Sequence, residues 1–103
     1  MSIFNLFNKG VNFNEGVELA KNSEEAVLID VRTKEEYKSG HIPGSINMPL
    51  NQIEKIEIEK TKPLYVYCLS GSRSRSACSY LKKQGYEVTN IGGIAGYKGR
   101  MVK

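Results

Sequence analysis

The sequence has no tryptophan, only two cysteines and only one histidine among its 103 residues. Two cysteines are too few for the disulfide framework of a small secreted domain, so we expect free thiols in a reducing cytoplasm. One histidine and two separated cysteines do not supply a ligand set, so we expect no metal and no other cofactor. The apolar patch near the N-terminus is too short for a secretory signal or a membrane span, which argues against a membrane partner.

A large excess of charge of one sign is also absent. The sequence has 15 lysines and arginines and 11 acidic residues, which give a net charge of +4. Most basic residues are scattered among acidic ones. Many nucleic-acid-binding proteins have basic residues interleaved with aromatic residues, and this sequence lacks that pattern. This mildly basic balance indicates a small anionic partner and argues against nucleic acid.

The length and the 40% hydrophobic content are typical of one globular domain. No internal repeat, linker or low-complexity segment divides the chain. We therefore expect a single domain over residues 1–103, with a short N-terminal extension at residues 1–9 and a basic C-terminal tail at residues 98–103.

Short apolar runs alternate with amphipathic segments along the chain. Residues 27–31 and 64–67 are rich in β-formers and do not alternate with polar residues, which is typical of parallel strands buried on both faces. Shorter candidate strands are residues 11–13, 45–48 and 88–91. Because helical segments separate the strands, the pattern predicts an α/β fold with a mostly parallel sheet and right-handed connections.

Capping residues mark the predicted helices. Asn14 is predicted to cap the first helix. Thr33 and Glu36 have the spacing of a capping box, which predicts the start of a second helix. The clearest helix is predicted over residues 72–84, where Gly85 ends it.

Cys68 lies where a predicted strand ends and a predicted helix begins, the position at which α/β sheets bind ligands. Small residues in the intervening loop allow backbone N–H groups to converge, and the helix N-terminus adds positive potential. Together with the following arginine, these groups are expected to lower the pKa of the Cys68 thiol and favour the nucleophilic thiolate. The candidate binding residues of this loop are Leu69, Ser70, Gly71, Ser72 and Arg73.

Cys78 is expected to be a core residue rather than a second reactive thiol. It falls on the apolar face of the helix predicted after the loop, roughly 8–9 Å from the loop along the helix axis. A disulfide needs Cα atoms within about 7 Å of each other, so a resolving role for Cys78 requires the helix start to fray.

Several motifs then resemble those of rhodanese domains. LIDVR at residues 28–32 and GHIPGSIN at residues 40–47 are similar to the DVR and GHIPGA motifs of that family. CLSGSRS at residues 68–74 resembles the CRSGxRS active-site loop, and NIGGI at residues 90–94 resembles the closing motif. The motifs occur in the family's order, and the resemblance extends over about residues 10 to 97.

The resemblance implies a five-stranded parallel sheet in the order 1-5-4-2-3, flanked by helices on both faces. It implies a sulfurtransferase that moves sulfane sulfur from a donor, such as thiosulfate or a persulfide, to a thiol or cyanide acceptor. Cys68 would carry that sulfur as a persulfide, surrounded by the loop that ends at Arg73. Leu69 stands where many thiosulfate-using members have arginine or another polar residue, which counts against a thiosulfate preference.

Other residues in the matching motifs are interpreted as structural. His41 is expected to form structural hydrogen bonds, because activation of cysteine by the loop needs no general base. Asp30, Arg32 and Glu36 are expected to form a polar network that fixes the neighbouring strand and helix, so their loss should reduce stability first.

Two alternatives remain open from the sequence. Cysteine-dependent phosphatases and arsenate reductases also place cysteine and arginine in such a loop, but with five residues between them, whereas four separate Cys68 and Arg73 here. A sulfur-relay or binding module that exchanges sulfur only with a partner protein is the other alternative.

Overall fold

The computed structural model describes residues 12–103 of the chain. The α-helices are α1, Phe13–Lys21, α2, Lys34–Ser39, and α3, Ser72–Lys83, and a 3₁₀ helix spans Leu50–Lys55. The strands are β1, Val27–Asp30, β2, Ile46–Asn47, β3, Leu64–Cys68, and β4, Val88–Gly93. Strands and helices alternate as the sequence predicts.

The four strands found within residues 12–103 form one parallel sheet in the order β2-β1-β3-β4. This is the implied order 1-5-4-2-3 without its first strand, because β1 to β4 correspond to strands 2 to 5 of that scheme. The candidate strand at residues 11–13 is wrong for Phe13, which begins α1. Val11 lies outside the described residues. The parallel sheet between helices confirms the predicted fold class.

Alternate residues of the central strands pack on opposite faces of the sheet. Ile29 and Val66 belong to the cluster under α3 and the 3₁₀ helix, whereas Leu28 and Tyr67 pack with α1. All four side chains are buried. Burying one large aliphatic side chain contributes about 1.5–3 kcal/mol, so both clusters hold the sheet between its helices.

Asparagine caps α1, but not at the predicted position. The side chain of Asn12 accepts a hydrogen bond from the N–H of Glu15 at 2.9 Å, and Asn14 lies inside the first turn. Asn12 has the extended backbone that an N-cap residue requires, which Asn14 cannot have as part of the helix. The predicted capping box of Thr33 and Glu36 is confirmed at the start of α2.

A β-bulge interrupts β4 beside the end of β3. Val66 pairs with Asn90, and the next residue of β3, Tyr67, pairs with Gly92, so Ile91 is an additional residue on β4. A bulge increases the local twist and redirects side chains. The residues that follow the bulge then lie against the chain that leaves β3, with Gly93 opposite Cys68.

The end of the chain pairs with the loop after α2. His41 and Val102 form an antiparallel bridge with two backbone hydrogen bonds of 2.9 Å. Within residues 12–103, no helix has the length and apolarity needed to cross a membrane.

Candidate active site

Cys68 is the last residue of β3, and its side chain is fully buried. Three residues later, Gly71 adopts a φ of 104°, a left-handed conformation that favours glycine, and α3 begins at the next residue. The short loop therefore folds back over the thiol.

Hydrogen-bond donors surround the sulfur atom of Cys68. The N–H of Gly71 donates to Sγ at 3.0 Å and that of Ser74 donates at 3.3 Å, while Ser74 Oγ lies 3.5 Å from Sγ. Burial by itself raises the pKa of the thiol. The Ser74 hydroxyl and the N–H groups of Ser74, Gly71 and Ser70 outweigh burial, and the pKa of Cys68 falls below its ordinary value.

The predicted loop residues do not all face the thiol. Gly71 contributes an N–H directly, and Leu69 is 43% exposed next to Cys68. Ser70 and Ser72 are also exposed. Ser74 was not among the predicted site residues, although both its N–H and its hydroxyl lie against Sγ. Its place in the first turn of the helix after the loop is the sequence signal that could have identified it.

Arg73 is paired with a carboxylate of another element. Its Nη1 and Nη2 donate to Oε1 and Oε2 of Glu36 at 2.7 and 3.0 Å. Oε1 also accepts the N–H of Thr33 at 2.9 Å, so the capping box holds the carboxylate that binds Arg73. Glu36 was expected to join a network with Asp30, but instead it links α2 to the active-site loop.

Arg73 interacts electrostatically with Cys68 as well as with Glu36. The interaction favours the thiolate, as expected, although hydrogen-bond donors headed by the Ser74 hydroxyl are the larger causes that lower the pKa of Cys68. Arg73 hydrogen-bonds Glu36 and holds the pKa of that carboxyl at about 2. Arg73 also lines a cleft of about 320 Å³, together with Val31, Thr33, Pro49, Leu50 and Asn51.

The Glu36–Arg73 pair predicts an acid-sensitive contribution to stability. Because the pKa of Glu36 is lowered from 4.5 to about 2, the contribution is complete above pH 4.5 and is lost as the pH falls towards 2. At pH 7 we expect Glu36→Gln to lower the free energy of unfolding by on the order of 1 kcal/mol, because the pair is partly exposed and screened. Urea unfolding from pH 2 to 7 measures the difference.

Glu35→Gln is the matched control, since Glu35 is an exposed carboxylate in the same first turn of α2. It should leave stability nearly unchanged at every pH. A Glu36→Gln difference that persisted undiminished at pH 2 would contradict the ion-pair interpretation.

Asp30 and Arg32 form a buried ion pair at the end of β1. Nη2 of Arg32 donates to Asp30 Oδ2 at 2.8 Å and to the carbonyl of Gly40 at 2.7 Å. The amide of Asn47 donates to the carbonyls of both charged residues at 3.0 Å. These contacts fix the connection from β1 to α2, as expected for a structural network.

His41 also makes structural contacts. Its Nδ1 lies 2.8 Å from the carbonyl oxygen of Tyr37, and the two rings stack with their centroids 3.6 Å apart. These contacts agree with the interpretation of His41 as a structural residue.

Cys78 is half-buried on α3 and packs against the core. Burial raises the pKa of its thiol to about 12, which makes it a poor nucleophile. It lines a cleft of about 470 Å³ with Arg75, Ser79, Lys82, Lys83 and Asn90. Within residues 12–103, no group of three histidine, cysteine or acidic side chains could hold a metal ion.

Comparison with known proteins gives the family of this fold and site. The family model described as "Rhodanese-like domain" matches residues 15–100. A sulfurtransferase from Allochromatium vinosum is 42% identical over 76 residues, which cover 70% of this chain and 71% of that protein. A crystal structure of SSP1007 from Staphylococcus saprophyticus has a TM-score of 0.81 at 26% identity, and the match covers 91% of this chain and 98% of that one.

The same domain also matches part of a longer relative. A protein named putative sulfur carrier protein YrkF, from Bacillus subtilis, is 42% identical over 67 residues, which are 62% of this chain but 36% of that protein. The chain thus spans about a third of the length of YrkF. With a family model that matches most of its length and a structure that superposes over nine-tenths of it, this chain belongs to the rhodanese-like domain family.

Proposed function

We propose that the protein is a rhodanese-type sulfurtransferase that carries sulfane sulfur as a persulfide on Cys68. One observation carries the proposal. At the junction of β3 and α3, the sulfur atom of Cys68 accepts hydrogen bonds from the N–H groups of Gly71 and Ser74. Relatives named as sulfurtransferases support this activity in broad terms. The donors around the sulfur favour the thiolate, and a persulfide anion would need the same donors.

Sulfur transfer at this site requires one bond to form and one to break. The Cys68 thiolate attacks the outer sulfur of a persulfide donor R–S–SH, and a new S–S bond forms as the donor S–S bond breaks. The electron pair of the broken bond leaves on R–S⁻, and the protein retains Cys68–S–SH. With thiosulfate the same attack releases sulfite. An acceptor thiolate or cyanide then attacks the outer sulfur and regenerates the Cys68 thiolate.

The surroundings of Cys68 favour a persulfide donor over thiosulfate. Leu69 is 43% exposed beside the nucleophile, so an apolar side chain occupies the rim of the site. Both terminal nitrogens of Arg73 already bind Glu36, so the loop's cation is partly neutralised. A dianion such as thiosulfate therefore gains less here than a donor that carries one charge or none. Of the other loop residues, Ser70 and Gly71 provide backbone N–H groups to the thiol, and Ser72 begins α3.

A sulfur-relay module that receives sulfur only from a partner protein is the second candidate. The exposed Leu69 next to the thiol favours it, because an apolar rim suits contact with another protein. Both cysteines are free thiols, and we infer a reducing compartment such as the cytoplasm for either function. A phosphatase reaction is disfavoured, because the buried thiol and the four-residue spacing leave less room for a tetrahedral phosphate.

The test is to locate transferred sulfur by mass spectrometry. The reduced protein is incubated separately with glutathione persulfide and with thiosulfate, and intact and peptide masses are then recorded. We expect one added sulfur atom on Cys68, more with the persulfide than with thiosulfate. The variant Cys68→Ser should gain none, whereas Cys78→Ser should load as the unmodified protein does.

The acceptor step uses the same preparation. Addition of cyanide should remove the sulfur from Cys68 and release thiocyanate. If neither donor adds sulfur while a persulfidated partner protein does, the relay function replaces the enzymatic one. Hydrolysis of p-nitrophenyl phosphate that depends on Cys68 would contradict both.

A further inference from the structure

Asn90 connects β4 to the groups that surround Cys68. Its Oδ1 accepts the hydroxyl of Ser74 at 2.7 Å and the N–H of Gly92 at 2.9 Å. Its Nδ2 lies 3.5 Å from the carbonyl of Gly71. Asn90 is the last residue of β4 before the bulge. One amide side chain thus contacts the loop, the first turn of α3 and the N–H of Gly92 on the far side of the bulge.

The Ser74 hydroxyl has one hydrogen and three acceptors in reach. Oγ lies 2.7 Å from Asn90 Oδ1, 3.0 Å from the carbonyl of Gly71 and 3.5 Å from Sγ of Cys68. Ser74 is fully buried, so water does not provide a further partner. One hydroxyl donates a single hydrogen at a time, and the shortest contact is the one to Asn90.

The protonation state of Cys68 determines which acceptor should receive the hydrogen of the Ser74 hydroxyl. A neutral thiol donates its hydrogen to Ser74 Oγ, and the hydroxyl is then free to donate to Asn90. A thiolate or persulfide anion has no hydrogen to donate and needs the hydroxyl as a donor. The hydroxyl can turn to the sulfur of Cys68 only by leaving the oxygen of Asn90.

We propose that Asn90 is a positioning residue whose amide oxygen competes with Cys68 Sγ for the hydroxyl hydrogen of Ser74. Asn90 thereby restrains the anionic form of the cysteine and sets how readily it attacks. The inference rests on the proposed function only in assigning that attack to sulfur transfer. The competition itself concerns the thiol alone, whatever its substrate.

Charged groups near Cys68 are unchanged by substitution of Asn90. Arg73 on α3 interacts electrostatically with Cys68, with Glu36 on α2 and with Asp30 at the end of β1, where Asp30 is paired with Arg32. Further along α3, Lys82 acts on the thiol of Cys78. These charges are common to all variants, so the one new charge is the carboxylate that Asn90→Asp introduces, and its effect is measured separately in the variant without the hydroxyl.

The experiment measures the rate of iodoacetamide alkylation of Cys68 against pH in the full chain, by peptide mass spectrometry. Asn90→Asp keeps both acceptor contacts and strengthens the acceptor. It should raise the pH midpoint by about one unit, which makes alkylation below the midpoint about tenfold slower. Asn90→Ala removes the acceptor and should shift the midpoint in the opposite direction.

The decisive comparison repeats both Asn90 substitutions in the Ser74→Ala variant, which lacks the hydroxyl. Without the hydroxyl, Asn90→Ala should have no effect on the midpoint, and Asn90→Asp should retain only the smaller effect of its charge. Equal shifts with and without the hydroxyl would overturn the proposal, as would shifts of the same sign for both Asn90 variants. If Asn90→Asp does not fold, Asn90→Ala in the two backgrounds decides the question. Alkylation needs no sulfur donor, so its outcome is independent of the sulfur-loading test.

Discussion

Arg32→Ala is expected to lower the free energy of unfolding by about 3–5 kcal/mol, because it leaves the carboxylate of Asp30 buried without its counter-ion. Arg32 is 5% exposed and Asp30 is 0% exposed, so water cannot replace the lost guanidinium. The guanidinium also donates to the carbonyl of Gly40, and the substitution leaves that acceptor without its side-chain donor. The loss should appear as a lower midpoint in urea unfolding.

The expected loss is large for a domain of this size. At 4–8 °C per kcal/mol, Tm should fall by roughly 12 °C or more. Lys34→Ala is the matched control, since Lys34 is an exposed cation two residues away and should change stability by less than about 0.5 kcal/mol. Full stability of Arg32→Ala together with loss of sulfur loading would instead place Arg32 in the chemistry.

Gly93→Ala should largely abolish sulfur loading of Cys68. A Cβ at this position would lie 2.7 Å from Cα of Ser70 and even closer to the carbonyl oxygen of Leu69. These are backbone atoms, held because the N–H of Ala95 donates to that same carbonyl at 3.0 Å. The loop must therefore move away from β4. Because the loop's Gly71 N–H donates to the thiol at 3.0 Å, we expect loading to slow by about 100-fold or more.

The overpacking itself should cost about 1–3 kcal/mol of stability, so the effect on loading must be separated from unfolding. Gly16→Ala is the matched control. A Cβ at Gly16 would overlap the side chain of Ile91, which packs with α1 on the opposite face of the sheet from Cys68. Gly16→Ala should therefore reduce stability while leaving loading at temperatures below its Tm unchanged. Equal loss of loading in both variants would show that Gly93 matters only for stability.

Local features of the fold were predictable because they depend on neighbouring residues. The apolar runs before Asp30 and Cys68 predict β1 and β3, and Gly85 correctly ends α3. The cap of α1 was misplaced by two residues, because two asparagines lie close together and only the backbone conformation distinguishes them. The position of Cys68 between strand and helix was predictable for the same local reason.

Contacts between distant elements were harder to predict. Glu36 and Arg73 are 37 positions apart, and their pairing depends on how α2 and α3 pack around the sheet. Asn90 and Ser74 are 16 positions apart, and their contact depends on how β4 and α3 pack together, which nothing local in the sequence specifies. The position of Cys68 could therefore be predicted from the sequence, whereas its contacts with side chains of distant elements could not.

The shared carboxylate of Glu36 has a consequence for how the protein folds. A helix of six residues such as α2 is too short to persist in isolation. The carboxylate of Glu36 accepts the N–H of Thr33 at the first turn of α2, and it also accepts a hydrogen bond from the guanidinium of Arg73. Local opening of the loop would remove a contact that α2 needs, and fraying of α2 would release the loop. The two segments should therefore open and close as one cooperative unit, even though 32 residues lie between Ser39 and Ser72.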